Sequence, residues 1–324
     1  MSSSPSTGPA SPKAAALRIR GLRAPKPRVD PWKAHGSALD DERRPNGTIE
    51  RALTIFLSGA ECPFTCSFCD LWQYTTDGPT PLGALPKQIA ATLASTHGPV
   101  DRIKLYNASN FFDRRAVPAP DLPRIAELCA PFMGVTVESH ANTVGPMTLD
   151  FARYLPRGTR LEVAIGLETV HPDARSRLNK RLDLFRFETA ASFLADHAID
   201  LRVFVLLGTP FIPAAESVDW TVRSVEFAAA RGAAAVSIIP VRGGNGEMER
   251  LQQLGHFTPP TLGQLESALE RCLGLANTVV TADLWDVEKL QVCAACRQAR
   301  VDRLRRLNVT GCPEATVVCD RQHA

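Results

Sequence analysis

The sequence predicts an α/β fold in which parallel strands form a partial TIM-type barrel, followed by a small cysteine-containing C-terminal appendage. Two observations predict the barrel. Short apolar runs alternate with helical stretches from about residue 50 onwards, and each crossover is long enough for a βαβ unit. A length of 324 residues suffices for one sizeable core, and 44% hydrophobic with 22% charged residues is ordinary for a globular protein.

Residues 1–45 mix Ser, Pro, Ala and Arg without periodicity, and we interpret them as a disordered tail and a lead-in segment. Pro25, Pro27 and Pro31 disfavour regular structure in the part nearest the core. The N-terminus lacks the apolar centre of a signal peptide, and no apolar run approaches the roughly 18 residues of a membrane span. We therefore expect no membrane partner.

The barrel is predicted over residues 46–243. Its strands are expected at 52–58, 102–107, 134–138, 161–167, 201–207 and 234–239, and its helices at 84–96, 121–130, 148–154, 185–197 and 216–231. The helix at 185–197 carries one apolar face, formed by Phe187, Ala190, Ala191 and Leu194, and this face is predicted to pack on the sheet.

The stretch ALTIFLSGA starts at Ala52 and reads as a buried strand, and Cys62, Cys66 and Cys69 follow it with the spacing C-x3-C-x2-C. Three thiolates on one short loop can converge on a metal centre, and iron–sulfur clusters are commonly held by thiolates. One ligand is missing for a four-iron cluster, so one iron would be open to a ligand that is not protein. A structural zinc loop or three unrelated buried cysteines are the alternatives. Zinc sites usually close with four ligands, and no His or Cys follows closely after Cys69.

This spacing, with Phe68 directly before the third cysteine, resembles the signature of the radical S-adenosylmethionine (radical SAM) superfamily. The resemblance implies a 4Fe-4S cluster on Cys62, Cys66 and Cys69, whose fourth iron is chelated by the amino and carboxylate groups of S-adenosyl-L-methionine. It places the edge of Phe68 near the adenine. It also implies a one-electron donor such as a ferredoxin or flavodoxin, and a deoxyadenosyl radical that abstracts hydrogen from the substrate.

In this superfamily the cofactor is gripped from the ends of successive strands, and such ends lie together at one face of a barrel. Gly166-Leu167-Glu168 resembles the segment that supports the methionine and ribose, which assigns Glu168 to the ribose hydroxyls. Asn107 and Ser109 stand where the family has a Gly-Gly-Glu-like turn. This departure leaves the partner of the amino group open between these side chains and backbone carbonyls, and a merely polar loop is the alternative.

Other candidates end neighbouring strands. Glu138 closes the third strand, where it is either a cofactor ligand or a solvated charge. Ile239 and Pro240 end the sixth, where family members place apolar residues against adenine and where a proline also stops a strand. His140 is the best-placed titratable group for proton or radical-quenching chemistry, although a lone histidine is more often a structural hydrogen-bonder.

The C-terminal extension, residues 244–324, begins with a loop rich in Gly and Pro and a predicted helix at 261–273. Four cysteines near its end have metal-ligand spacing: Cys293, Cys296, Cys312 and Cys319. They suit a second iron–sulfur cluster or a structural zinc, and cysteines without a metal are the open alternative. The same segment contains arginines that could contact phosphates but spread around the helix at 100° per residue, namely Arg297, Arg300, Arg303, Arg305 and Arg306.

The segment from Ile165 to Pro213 resembles the Elongator-type radical SAM core, and the nearest resemblance is to the radical SAM subunit of archaeosine synthesis. The Asn179-Lys180 pair, Met248-Glu249 and the run from Phe257 to Pro260 carry it, together with Gly-Leu-Glu-Thr. The resemblance implies modification of a tRNA nucleoside. A radical SAM enzyme acting on a free small molecule and a non-catalytic iron–sulfur or zinc-binding scaffold are the alternatives.

The nine cysteines and the charge balance bear on the setting of the protein. Seven of the cysteines fall in the two groups described above, which is unlike the disulfide framework of a small secreted chain and favours a reducing cytoplasm. A net charge of +3 is small, so it does not by itself indicate a nucleic-acid partner.

Overall fold

The computed structural model describes residues 11–319, and within them eight strands form one sheet in chain order. The strands are β1 (Gly36–Arg43), β2 (Ile49–Phe56), β3 (Arg102–Tyr106), β4 (Gly134–Glu138), β5 (Arg160–Glu168), β6 (Asp200–Leu207), β7 (Ala233–Pro240) and β8 (Val279–Ala282). β1 pairs antiparallel with β2, and every later pair is parallel. The sheet is nearly closed into a barrel, as the sequence predicts.

The helices of the described residues lie between and after the strands. They are α1 (Pro12–Gly21), α2 (Ala84–Ser95), α3 (Leu122–Cys129), α4 (Pro146–Tyr154), α5 (Pro172–Arg177), α6 (Leu184–Asp196), α7 (Ser217–Ala229), α8 (Glu247–Gln253), α9 (Leu262–Cys272) and α10 (Arg297–Thr310). α6 and α7 pack on the barrel strands, and α10 packs against both β1 and β8. Because β1 and β8 are the two edges of the sheet, α10 covers the gap where the barrel does not close.

All six predicted strands are confirmed to within a few residues, and α6 buries the predicted apolar face of Phe187, Ala190, Ala191 and Leu194. The structure differs from the prediction in residues 11–45. This segment contains α1 and the edge strand β1, although residues 23–30, with Pro25 and Pro27, have no regular structure. The sequence does not show an apolar strand pattern at β1, because the half-buried positions of this strand include charged residues. The predicted tail at residues 1–10 lies outside the described residues.

Charged residues fill the barrel at the end opposite the candidate site. Glu162 is fully buried and forms ion pairs with Arg44 (3.0 Å) and Arg202 (2.9 Å). Glu42 of β1 forms an ion pair with Arg202 (2.8 Å) and contacts Lys104. Burial opposes the ionisation of Glu42, but Arg202 and Lys104 outweigh it and lower its pKa to about 2. This network holds the edge strand β1 in the barrel.

The C-terminal ends of the parallel strands meet at one face of the barrel. β4 ends at Glu138, β5 ends at Glu168, and Asn107 directly follows β3, as predicted. The cysteine loop leaves β2 at the same face. No helix among residues 11–319 is long and apolar enough to cross a membrane.

Candidate metal and cofactor site

The cysteine loop leaves the sheet directly after β2. Cys62, Cys66 and Cys69 are free thiols on a segment without helix or strand, and the backbone turns tightly because the Cys69 N–H donates to the Cys66 carbonyl (3.2 Å). The spacing C-x3-C-x2-C therefore sits on irregular backbone at the working end of the barrel, as the sequence predicts.

Two asparagine side chains, distant in sequence, hold this loop in place. Asn179 Nδ2 donates to the carbonyl (2.9 Å) and the hydroxyl (2.8 Å) of Thr65. Asn245 Nδ2 donates to the carbonyls of Ser67 (2.8 Å) and Cys69 (3.3 Å). Both asparagines are buried. Asn179, between α5 and α6, holds one side of the cysteine loop, and Asn245, just before α8, holds the other.

The three thiols are close enough to interact electrostatically. Burial raises the pKa of Cys62 and raises that of Cys66 to about 12, while the cation of Lys180 acts in the opposite direction on both. Burial and the negative charge of Cys66 likewise hold the pKa of Cys69 well above its usual range. The thiols are therefore protonated in the chain alone, and a metal would have to displace their protons.

The sulfurs of the cysteine loop are not gathered as tightly as those of a preformed site for a single ion. Zinc–thiolate bonds of about 2.3 Å place the sulfurs of a tetrahedral site about 3.8 Å apart. Within residues 11–319, Cys62, Cys66 and Cys69 do not form a group whose sulfurs all lie within 4.8 Å of one another. A cluster needs such wider spacing, because its own iron and sulfide atoms stand between the thiolates.

The turn after β3 lies against the first cysteine. Asn110 Nδ2 contacts Cys62 Sγ at 3.4 Å, and its Oδ1 accepts from the His140 N–H (2.9 Å). In the same turn, both side-chain polar atoms of Asn107 and the hydroxyl of Ser109 are buried without a hydrogen-bond partner in the described chain. Buried polar atoms are rarely left so, and their position beside Cys62 fits a polar ligand at this turn.

Glu138 supports the same turn from β4. Glu138 is half-buried, and it accepts from the Ala108 N–H (3.0 Å), where the backbone is left-handed (φ +53°). Burial raises the pKa of Glu138 to about 7, although the N–H groups of Ala108 and Asn107 and the charge of Lys180 act against this. In this structure Glu138 positions the turn, and direct contact with a cofactor stays a prediction.

Glu168 lies at the end of β5 in an ion pair. Its Oε1 accepts from Lys180 Nζ at 2.5 Å, with Glu168 buried and Lys180 half-buried. Glu168 has left-handed backbone (φ +67°) at a register shift between β5 and β6. A Cβ atom at Gly166 would overlap Glu168 Oε1 and Lys180 Nζ, so glycine at this position admits the pair. The predicted contact of Glu168 with the ribose stays a prediction.

His140 follows Glu138 and is also buried. Its Nε2 lies 3.0 Å from the Lys180 carbonyl and its Nδ1 accepts from the Asn142 N–H (3.1 Å), which requires the neutral Nε2–H tautomer. Burial and the charge of Lys180 lower its pKa to about 3. The ring stacks on Phe64 of the cysteine loop, with centroids 4.1 Å apart. His140 is thus a support for the loop here, and its catalytic role stays a prediction.

Two of the three predicted adenine-binding residues pack against one apolar cluster. Phe68 and Ile239 both pack against a small core of Leu206, Val241, Met248, Leu251 and Phe257. Pro240 is buried as the last residue of β7 and pairs with Leu207. The structure therefore brings Phe68 beside the end of β7, as an adenine pocket there would require.

Several residues at the site were not predicted as site residues. Asn245, Asn110 and Lys180 contact the cysteine loop or its neighbours, yet Asn245 is 178 positions from Ser67. The sequence indicates the Asn179-Lys180 pair only through its resemblance to the Elongator-type core. The one local signal at Asn245 is its position between two glycines, Gly244 and Gly246, and this signal alone does not indicate a site residue.

The C-terminal cysteines divide into three and one. Cys293, Cys296 and Cys319 place their sulfurs within 4.8 Å of one another. Cys312 is exposed, and its Sγ lies 3.6 Å from the Thr310 carbonyl, outside that group. The predicted four-cysteine set is therefore brought together only in part.

The arginines of α10 have partners within the chain. Arg300 and the buried Arg303 pair with carboxylates of α9, and Arg305 and Arg306 pair with Asp302 and Glu314. Arg297 donates to the Glu288 and Leu290 carbonyls. These interactions hold α10 and the following segment to the barrel.

Comparison with known proteins identifies the fold. No family model and no curated protein matches this chain. Among solved structures, SuiB from Streptococcus suis superposes with a TM-score of 0.51 at 13% identity, covering 70% of this chain and 47% of SuiB. This chain has the barrel fold of SuiB. It spans about half of that protein's length, and at this identity the likeness establishes the fold alone.

Two further solved structures are similar at lower TM-scores. They are archaeal Elp3 from Methanocaldococcus infernus (TM-score 0.48, 11% identity, 69% of this chain and 58% of Elp3) and coproporphyrinogen III oxidase, HemN, from Escherichia coli (0.47, 10%, 79% and 54%). HemN is a radical SAM enzyme. The resemblance to archaeosine synthesis is untested by these comparisons and stays a prediction.

Proposed function

We propose that this protein is a radical SAM enzyme, in which Cys62, Cys66 and Cys69 hold three irons of a 4Fe-4S cluster. The observation that carries the proposal is the cysteine loop itself. It carries three free thiols on the segment after β2, at the face where the other parallel strands end, and their sulfurs do not all lie within 4.8 Å of one another. When bound, such a cluster supplies one electron that cleaves S-adenosylmethionine to methionine and a deoxyadenosyl radical, which abstracts hydrogen from the substrate.

The residues around the loop give each part of the cofactor a partner. The unpaired side chains of Asn107 and Ser109 lie in the turn beside Cys62, where they would accept from or donate to the amino group and carboxylate. Glu168, held by Lys180 at the end of β5, would accept from the ribose hydroxyls. Phe68 and Ile239 supply the apolar surface for the adenine.

The surrounding asparagines and Lys180 keep this arrangement rigid and electrostatically suited to thiolates. Asn179 and Asn245 bind the backbone of the loop, so the three sulfurs keep their relative positions. Lys180 acts to lower the pKa of Cys62 and Cys66, which favours loss of their protons to a metal. One-electron chemistry of this kind needs a reducing compartment, so we propose the cytoplasm, with a ferredoxin or flavodoxin as donor.

Reductive cleavage tests the proposal directly. The protein is reconstituted anaerobically with iron and sulfide, reduced with dithionite and incubated with S-adenosylmethionine, and 5′-deoxyadenosine and methionine are quantified by mass spectrometry. We expect both products from the wild-type protein and neither from the Cys66→Ala variant. A protein with four irons per chain and no cleavage would instead support the non-catalytic scaffold.

The substrate class has two candidates. Transfer RNA is the substrate that the sequence resemblance implies. The internal partners of the α10 arginines favour a free small molecule instead, because those guanidinium groups already bind carboxylates and carbonyls of the chain. Binding of bulk tRNA at several salt concentrations separates the two. Tight binding that weakens steeply with salt supports tRNA, and binding no tighter than to an unrelated polyanion supports the small molecule.

A further inference from the structure

The second group of cysteines has the geometry of a site for one metal ion. The Sγ atoms of Cys293 and Cys319 lie 3.7 Å apart, and those of Cys293, Cys296 and Cys319 all lie within 4.8 Å of one another. Tetrahedral zinc with bonds of about 2.3 Å requires thiolates about 3.8 Å apart. The three sulfurs therefore already surround a volume that suits a single ion.

The three sulfur ligands indicate which metal ion this site would bind. Three thiolates are soft ligands, and tetrahedral sulfur sites select zinc or iron–sulfur centres. A cluster of several irons would push the three thiolates further apart than 4.8 Å, because its own atoms separate them. Zinc needs no such separation and no redox partner, so a single zinc ion satisfies the observed spacing.

Two positive groups lie beside the sulfurs of this group. Cys296 is the N-cap of α10, whose fourteen residues direct their dipole at this end. The Arg300 guanidinium lies within hydrogen-bonding reach of the Cys296 side chain while it pairs with Glu266. Zinc with three thiolates carries a net negative charge, and both the helix terminus and Arg300 stabilise it.

The position of the group shows what the ion would fasten. Cys293 lies in the loop after β8, Cys296 starts α10, and Cys319 lies on the segment that follows this helix. That segment returns along α10, where Arg303 Nη2 donates to the Glu314 carbonyl (2.5 Å) and Arg306 pairs with the Glu314 carboxylate (2.9 Å). α10 itself covers the gap between β1 and β8.

We propose that Cys293, Cys296 and Cys319 bind one structural zinc ion, and that this ion fastens the segment after α10 to the helix that covers the open side of the barrel. Cys312 is not a ligand. The fourth ligand is water or a side chain other than cysteine. Binding releases the thiol protons, and the ion takes no part in electron transfer. This site is separate from the one that carries the proposed function.

The test uses the full-length protein loaded with its iron–sulfur cluster. Zinc and iron are counted in the wild type and in Cys293→Ser, Cys296→Ser, Cys319→Ser and Cys312→Ser, with Cys312→Ser as the matched control. We expect one zinc per chain in the wild type and in Cys312→Ser, and at least a tenfold loss of zinc in the other three with unchanged iron. Zinc that survives all three changes, or that disappears with Cys312→Ser, overturns the proposal.

A second measurement needs no variant, so it holds even if a substitution impairs folding. X-ray absorption at the zinc edge of the wild-type protein counts sulfur ligands directly. We expect three sulfurs at about 2.3 Å. Four sulfurs, or only nitrogen and oxygen ligands, would contradict the assignment, as would a wild-type protein that contains no zinc and more iron than one four-iron cluster requires.

Discussion

The two cysteine groups contain the same ligand in the same number, yet the structure arranges them differently. Cys62, Cys66 and Cys69 lie on one loop, and their sulfurs do not all lie within 4.8 Å of one another, whereas those of Cys293, Cys296 and Cys319 do. The first group lies against strand-end residues with unpaired polar atoms, and the second lies between a helix start and the segment after that helix. Ligand spacing and surroundings, more than ligand type, distinguish the proposed catalytic site from the proposed structural one.

Among the substitutions that distinguish the two cysteine groups, Cys66→Ala is expected to have the largest effect. Three thiolates are needed to hold the cluster, so this change should abolish the brown absorption near 400 nm expected of such clusters and all cleavage of S-adenosylmethionine, while zinc stays at one per chain. Metal analysis and absorption spectra measure both. Cys129→Ala, at a buried cysteine outside both groups, is the control and should leave iron and zinc unchanged. Cleavage by Cys66→Ala would contradict the account.

Lys180→Met tests the electrostatic side of the comparison. It leaves the buried carboxylate of Glu168 without its partner, which typically costs about 3 to 5 kcal/mol, and removes the cation that favours thiolates at Cys62 and Cys66. We expect a lower free energy of unfolding in urea and a lower iron content, with zinc unaffected. Lys180→Met combined with Glu168→Gln should recover much of the stability, since no buried charge then remains. No recovery would show that the ion pair is not the cause.

Glu138→Gln is expected to have a pH-dependent effect on stability, and this effect arises only at the site of Cys62, Cys66 and Cys69. In wild type the pKa of Glu138 is raised from 4.5 to about 7, so the unfolded chain loses its proton first as pH rises. The free energy of unfolding of the wild-type protein therefore falls progressively as pH rises from about 4.5 to 7, by about 3 kcal/mol in total. Glutamine keeps the acceptor for the Ala108 N–H without the charge. We expect the variant to gain stability relative to wild type from pH 4.5 to 7, measured by urea unfolding of the cluster-free proteins. An identical pH profile would contradict the buried-carboxyl account.

Asn107→Leu separates stability from binding, with the smallest expected effect. Its amide is buried without a partner, so an apolar side chain of similar shape should stabilise the cluster-free protein by about 1 kcal/mol, while S-adenosylmethionine binding to the loaded protein weakens. Thermal unfolding and equilibrium binding measure the two. A loss of stability, or an unchanged affinity, would show that Asn107 does not face the cofactor.

The sequence predicts most of the barrel because its strands are short apolar runs whose helices carry one buried face. β1 was missed because it has no fully buried residue and its half-buried Glu42 pairs with Arg202 and Lys104 of other strands. β8 was missed because it is only four residues long. An apolar pattern marks a strand only where the interior it faces is apolar, and this end of the barrel is filled with ion pairs.

The candidate site likewise has features that the local sequence predicts and contacts that it does not. The cysteine spacing and the strand-end positions of Asn107, Glu138 and Glu168 follow from local sequence, and the structure places them as predicted. The contacts of Asn245 and Lys180 depend on tertiary packing between segments far apart in the chain. The separation of Cys312 from the other C-terminal cysteines also depends on how the segment after α10 returns along the helix, which spacing alone does not encode.

The most direct test of the central claim is electron paramagnetic resonance of the reduced, cluster-loaded protein with and without S-adenosylmethionine. With only Cys62, Cys66 and Cys69 as protein ligands, one iron is left for the amino and carboxylate groups of the cofactor. The account predicts a reduced 4Fe-4S signal whose g values shift when S-adenosylmethionine is added. A signal unchanged at saturating S-adenosylmethionine would mean that no iron is available to the cofactor and would contradict the account.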